Sequence, residues 1–186
     1  MKVMIVGAQC VGKTTLIDML GKEYEQYVLK KIVRNAVKEN PNLKVNEDGN
    51  EETQVFLFNL YLNKLKGREN YITDRGLFDV MVYTKVMYDR GCIEGWEFVE
   101  EQYKMFVDFL NDNPTLQIYH IPPMFPIVED GFRSTSWEFQ NQTEQAIQWL
   151  EQRLLEDKNV KHFNMFTTSK MLNENRIKEL TELINK

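Results

Sequence analysis

Gly7-Ala8-Gln9-Cys10-Val11-Gly12-Lys13-Thr14 decides the fold. It is a complete G-x-x-x-x-G-K-[ST] phosphate-binding loop. Lys2-Val3-Met4-Ile5-Val6 before it reads as a short buried strand, and Thr15-Leu16-Ile17-Asp18-Met19-Leu20 after it as a helix. Strand, glycine loop and helix N-terminus are the context the motif needs. Its glycines let the backbone wrap an anion, with successive amides from Gly7 to Thr15 pointing inward and the positive helix end facing the same charge. Lys13 is placed to reach the outer phosphates of a nucleoside triphosphate, and the Thr14 hydroxyl to ligate Mg²⁺. A glycine turn with an incidental lysine would leave Lys13-Thr14-Thr15 unexplained.

The 186 residues suit one domain of ordinary size, here a single unit from 1 to 186. Hydrophobic residues make up 42% and charged residues 27%, which is globular. The balance of 23 basic against 28 acidic residues gives −5, so bulk charge gives no support for coating nucleic acid. Cys10 and Cys92 lack the spacing of a metal or disulfide framework, which points to a reducing cytoplasm. With the first strand reading from residue 2, no leader is expected, and no apolar run is long enough to span a bilayer. Asp-Arg-Gly occurs at 74–76 and again at 89–91, where Gly91 reads as a helix C-cap.

Further elements follow in order. Residues 27–33 read as strand 2 with Arg34 at its end, and residues 51–66 as a helix with Val55, Phe58, Leu62 and Leu65 inward. Residues 71–74 read as strand 3, 78–90 and 96–110 as helices, and 116–121 as strand 4. A loop to Ser136, a helix to Glu156, a last strand over 160–163 and a C-terminal helix complete the chain. Alternation of strand and helix predicts an α/β three-layer sandwich: a five-stranded parallel sheet with helices on both faces and a lid over about 122–136. In such sheets ligands bind at the carboxyl ends of the strands. That selects the 7–15 loop, Arg34, Asp74-Arg75 and the loop after Ile121.

Asp74 stands where a second acid beside the phosphate loop can hold Mg²⁺ or its waters; its plainer reading is a helix N-cap. Arg75 offers a planar fork for phosphate or a base edge, or else a salt bridge to Asp74 or a neighbour; Arg34 can meet a substrate phosphate, or else is a solvated arginine in the basic run with Lys30, Lys31 and Lys38. Arg133, in a polar segment with a glycine hinge, is placed to reach a transferring phosphoryl group when the lid closes. His120 and His162 read as core histidines. Tyr61, Tyr83 and Tyr88 can stack on a base but fit helix faces equally well.

Gly7 to Thr14, Arg34, Val45-Asn46-Glu47-x-Gly49-x-x-x-Thr53-Gln54, Tyr71-Ile72-Thr73-Asp74-Arg75-Gly76-x-x-Asp79-Val80 and Asp130-Gly131-x-Arg133-Ser134-Thr135 recur in this order in a known group. The chain resembles the small AAA-type P-loop kinases of phages and bacteria. These are similar to nicotinamide riboside kinase domains and, more distantly, to deoxynucleoside and thymidylate kinases. The resemblance implies ATP and Mg²⁺ held by Lys13 and Thr14, Asp74 and Arg75 beside the phosphoryl acceptor, Arg133 as a lid arginine, and a homodimer as one oligomeric option. Where many relatives carry a glutamate three residues before Arg34, this chain has Lys31. Either Asp74 serves as base, or the acceptor is a phosphate that needs none, which favours a deoxynucleoside monophosphate. Two other functions stay open: a kinase acting on a hydroxymethyl pyrimidine in DNA, served by the basic clusters 30–38 and 64–68, and an ATP-gated binding module with little turnover.

Overall fold

A computed structural model describes residues 1–124 and 135–185. The sheet is formed by β1 (Lys2–Val6), β2 (Val28–Leu29), β3 (Tyr71–Thr73), β4 (Leu116–His120) and β5 (Met165–Thr167). Its order is β2-β3-β1-β4-β5, and every pairing is parallel. The helices are α1 (Lys13–Asp18), α2 (Ile32–Glu39), α3 (Glu51–Leu65), α4 (Leu77–Asp89), α5 (Trp96–Asn111), α6 (Trp137–Glu156) and α7 (Asn173–Ile184). The expected five-stranded parallel sheet with helices on both faces is what forms.

β1 explains the layering. Its residues alternate between faces. Val3 and Ile5 bury against Leu16 and Ile17 of α1 and Leu180 and Ile184 of α7. Met4 and Val6 face the larger core with Phe58 of α3, Phe78 of α4, Phe106 of α5 and Leu150 of α6. Both faces of β1 are therefore dry, which is why its sequence reads as a continuous apolar run rather than an alternation. Polar residues fix where helices start. The Asn50 side chain accepts from the Thr53 amide at 3.0 Å, and the Ser136 hydroxyl oxygen from the Phe139 amide at 3.1 Å. Gly91 has φ +71°, as its C-cap reading requires.

The sequence expectation fails at three elements. Strand 2 is two residues long, and Ile32–Glu39 is a helix. β3 supplies only Ile72 and Thr73 as partners, so Ile32 and Val33 have nothing to pair with. The chain turns at Lys31, φ +60°, and Ile32 buries its side chain as the first residue of α2. Arg34 thus lies inside α2 and not at a strand end. The last strand is Met165–Thr167, because these residues match Ile118, Tyr119 and His120; Val160 and Phe163 pack on the core without joining the sheet. In α3 the inward set is Thr53, Gln54, Leu57, Phe58, Tyr61 and Leu65, whereas Val55 is 41% exposed.

Candidate active site

The phosphate loop is shaped by two glycines no other residue replaces. At Gly7 φ is +145°, and a Cβ would stand 2.4 Å from the Ile121 carbonyl oxygen of the neighbouring strand exit. At Gly12 φ is +96°. Cys10 adopts φ +63° between them. The backbone therefore curls tightly enough to surround an anion. Lys13 is 4% exposed, and its ammonium donates to the Gly7 and Ala8 carbonyls at 2.5 and 2.6 Å. That places its charge inside the loop.

Two buried groups brace the loop from outside. Gln9 donates to the Ser136 carbonyl at 3.4 Å, and the Gln140 side chain donates back to the Gln9 carbonyl at 2.8 Å, so α6 holds one side. On the other side Arg176 of α7 reaches in. Its guanidinium donates to the Val11 carbonyl at 3.2 Å and to the Lys170 carbonyl at 2.7 Å. Burial lowers its pKa below the ordinary arginine value, opposed by Tyr119 and Glu179.

Thr14 and Asp74, paired on sequence grounds, do meet. The Thr14 hydroxyl donates to one Asp74 carboxylate oxygen at 2.8 Å, and the Lys31 amide donates to the other at 3.2 Å. Asp74 caps no helix, because α4 starts after Gly76. The left-handed turn at Lys31 now has a purpose: it points that amide at the acid. Two hard oxygens side by side at the mouth of the loop suit a Mg²⁺ ion in chemical type. Among the described residues no cluster of three or more histidine, cysteine or acidic side chains is arranged around a metal.

Behind Asp74 a cavity runs between α2, α3 and α4. Thr14 and Asp74 stand at one end, and Arg34, Arg75, Gln54, Tyr61, Asp79 and Tyr83 contribute polar groups along it. Ile32, Leu57 and Val80 make apolar walls. Arg34 therefore reaches the cavity even though its element differs from the expected one. The Arg75 guanidinium lies 5.5 Å from the centroid of the Tyr83 ring. Burial works against its charge, yet Tyr83, Asp79 and Tyr61 together raise its pKa.

Three residues here were not singled out as site residues. Gln54 is 4% exposed and its side-chain carbonyl oxygen has no hydrogen-bond partner. The Tyr61 hydroxyl, likewise buried, has none either, and burial drives its pKa well upward. Asp79 is 4% exposed and accepts from the Gly76 amide at 3.1 Å. Burial pushes its carboxyl up to about 6, with Asp74 adding to the rise and Lys13 and Arg75 opposing it. Spacing held the signal: Gln54 and Tyr61 are seven apart on one helix, and Asp79 is three past Gly76. Tyr61 and Tyr83, read as options for stacking, line the cavity; Tyr88 packs on Trp96 at 5.0 Å.

His120 is a satisfied core histidine, within 3.2 Å of the Thr167 hydroxyl and 3.3 Å of the Glu144 carboxylate. His162 is exposed and in no strand, contrary to expectation. Arg133 and most of the lid segment 122–136 lie outside the described residues.

A family model described as an AAA domain matches residues 2–161, and the chain belongs to that family. Its fold is that of small P-loop nucleoside kinases. Deoxyadenosine kinase from M. mycoides, with the products dCMP and dCDP bound, superposes with a TM-score of 0.65 at 18% identity, over 100% of this chain and 98% of that one. The YorR protein of Bacillus subtilis, in complex with phosphorylated GDP, gives 0.58 at 15% identity over 100% and 96%. NadR, in complex with NAD and AMP-PNP, gives 0.63 at 15% identity over 99% of this chain and 49% of its own. No curated protein sequence matches the chain. Among the described residues no helix is long and apolar enough to cross a membrane.

Proposed function

We propose that this protein transfers the γ-phosphoryl group of ATP to the hydroxyl of a nucleoside. The observation that carries the reading is the cavity joined to the phosphate loop. Thr14 and Asp74 line it beside the loop, and Gln54 and Tyr61, each with a buried side-chain oxygen that has no partner, line it too. A buried polar atom without a partner costs about 1–3 kcal/mol, so such atoms mark where a ligand supplies the missing bond. A base fits: flat faces for Leu57 and Val80, and an edge of donors and acceptors for an amide and a hydroxyl. The products dCMP and dCDP bound in one similar structure, and the AMP-PNP bound in another, support a site of this class.

The curled loop from Gly7 to Thr15 fits a triphosphate, and Thr14 and Asp74 would hold Mg²⁺. A bound Mg²⁺ neutralises charge on the phosphates. Lys13 brings a fixed cation to the loop, and Arg75 a second one on the acceptor side. Arg133 remains a proposed lid arginine. The monophosphate reading keeps one observation in its favour: Lys31 and Arg34 line the cavity. The reading as a kinase of bases in DNA loses support. Lys30 to Lys38 follow β2 at the carboxyl ends of the strands, while Lys64 to Arg68 precede β3 at the amino ends. The two clusters therefore make no common track for a duplex.

ADP release with Mg-ATP tests this against nucleosides, their monophosphates, nicotinamide riboside, and plain or hydroxymethylated duplex DNA. Stimulation by a nucleoside, abolished in Lys13→Ala, is the expected result. Tight ATP binding with no stimulation by any acceptor would make the protein a nucleotide-gated module instead.

A further inference from the structure

Two carboxylates share this cavity in different settings. Asp74 has both oxygens engaged, one by the Thr14 hydroxyl and one by the Lys31 amide. It faces the phosphate loop. Asp79 stands one turn into α4, with Oδ2 held by the Gly76 amide at 3.1 Å. That bond fixes the carboxylate's direction and leaves Oδ1 for the cavity, which Asp79 lines. Lys31 stands where a carboxylate is expected from the resemblance, and its side chain is exposed. The site thus needs another group to receive an acceptor proton.

We propose that Asp79 is the general base of the transfer. This rests on the nucleoside kinase reading above. The acceptor hydroxyl gives its proton to Asp79 Oδ1 while its oxygen bonds to the γ-phosphorus of ATP. The bond from that phosphorus to the bridging oxygen breaks, and its electron pair leaves with ADP. Asp79 then loses the proton to water as products depart. Charge balances within the cavity: Asp79 becomes neutral as the bridging oxygen gains charge near Lys13 and Arg75.

The surroundings suit this task. Asp79 is faced by Lys13 from α1, Asp74 and Arg75 from the end of β3, and Tyr61 from α3. Burial and Asp74 raise its proton affinity, while Lys13, Arg75 and the Gly76 amide lower it, leaving it at about 6. Such a carboxyl is ionised at neutral pH yet more basic than one at the surface, the compromise a general base requires. A helix cap alone would explain the Gly76 bond but not the placement in the cavity.

The test compares full-length wild type, Asp79→Asn and Asp79→Glu by ADP release with Mg-ATP and nucleosides from pH 5 to 9. Melting curves check the fold. The Asn variant should lose about 10²–10⁴-fold in kcat while both KM values move by less than about threefold. The wild-type acid limb near pH 6 should vanish in Asn, and Glu should recover part of the rate. Survival of kcat within tenfold in Asn overturns the assignment, as does a change confined to acceptor KM. If Asn fails to fold, a wild-type profile of kcat/KM for the nucleoside that stays flat from pH 5 to 8 overturns it alone. Failure of the kinase reading looks different: wild type itself then shows no acceptor-stimulated release, and the assignment falls with it.

Discussion

The phosphate loop and the cavity proposed for the acceptor adjoin, yet they are built on opposite plans. The loop is one contiguous segment held by its own glycines, with Gly7 against the Ile121 carbonyl and Gly12 at positive φ. The cavity is assembled from α2, α3 and α4, with residues from 31 to 83 meeting across it. Chemistry that all substrates of the class share can be fixed in a short motif. Chemistry that selects a substrate is spread over helix faces, where one residue can change without disturbing the rest.

That contrast can be broken most forcefully at the loop. Lys13→Ala should reduce acceptor-stimulated ADP release by on the order of 10²–10³-fold, the cost of losing one fixed charge donor to the transferring group. Next comes Gly7→Ala, which forces a side chain into a glycine-only conformation and against backbone. It should lower stability by about 1–3 kcal/mol in denaturant titrations and abolish ATP binding. On the cavity side, Tyr61→Phe should raise acceptor KM about tenfold with ATP KM unchanged, while the free protein melts no lower, because the hydroxyl removed had no partner. Comparable loss at both KM values would show that the two regions are not separable.

The smallest effect is on stability against pH. Asp79 has a folded pKa of about 6 against an ordinary 3.8. Between those values the folded protein binds more protons than the unfolded chain, so the Asp79 contribution is full below about pH 4 and is lost as pH rises through about 6. Melting temperatures of wild type should carry this decline, and Asp79→Asn should lack it.

How much was legible follows the same division. β1, the loop and the Thr14–Asp74 pair could be read because each signal is local or sits at a strand end. Arg34 lines the cavity from a helix and not from the expected strand end: Ile32 and Val33 favour a strand, but the short β3 gives them no partner. Gln54 and Asp79 lie in motifs without an assigned role, because their burial in the cavity wall comes from helix packing that no local pattern spells out. Arg176 had no local signal, since its bond to Val11 spans 165 residues of sequence.

That arginine has one more consequence. The guanidinium from α7 sits against the loop between β1 and α1, so the loop cannot open without releasing it, and α7 cannot undock without freeing a loop carbonyl. Loop and helix therefore form one cooperative opening unit. Backbone amides of residues 8–13 should exchange with deuterium at the rate of the buried turns of α7. Arg176→Lys should speed exchange in both segments together and leave β3 and α4 unchanged.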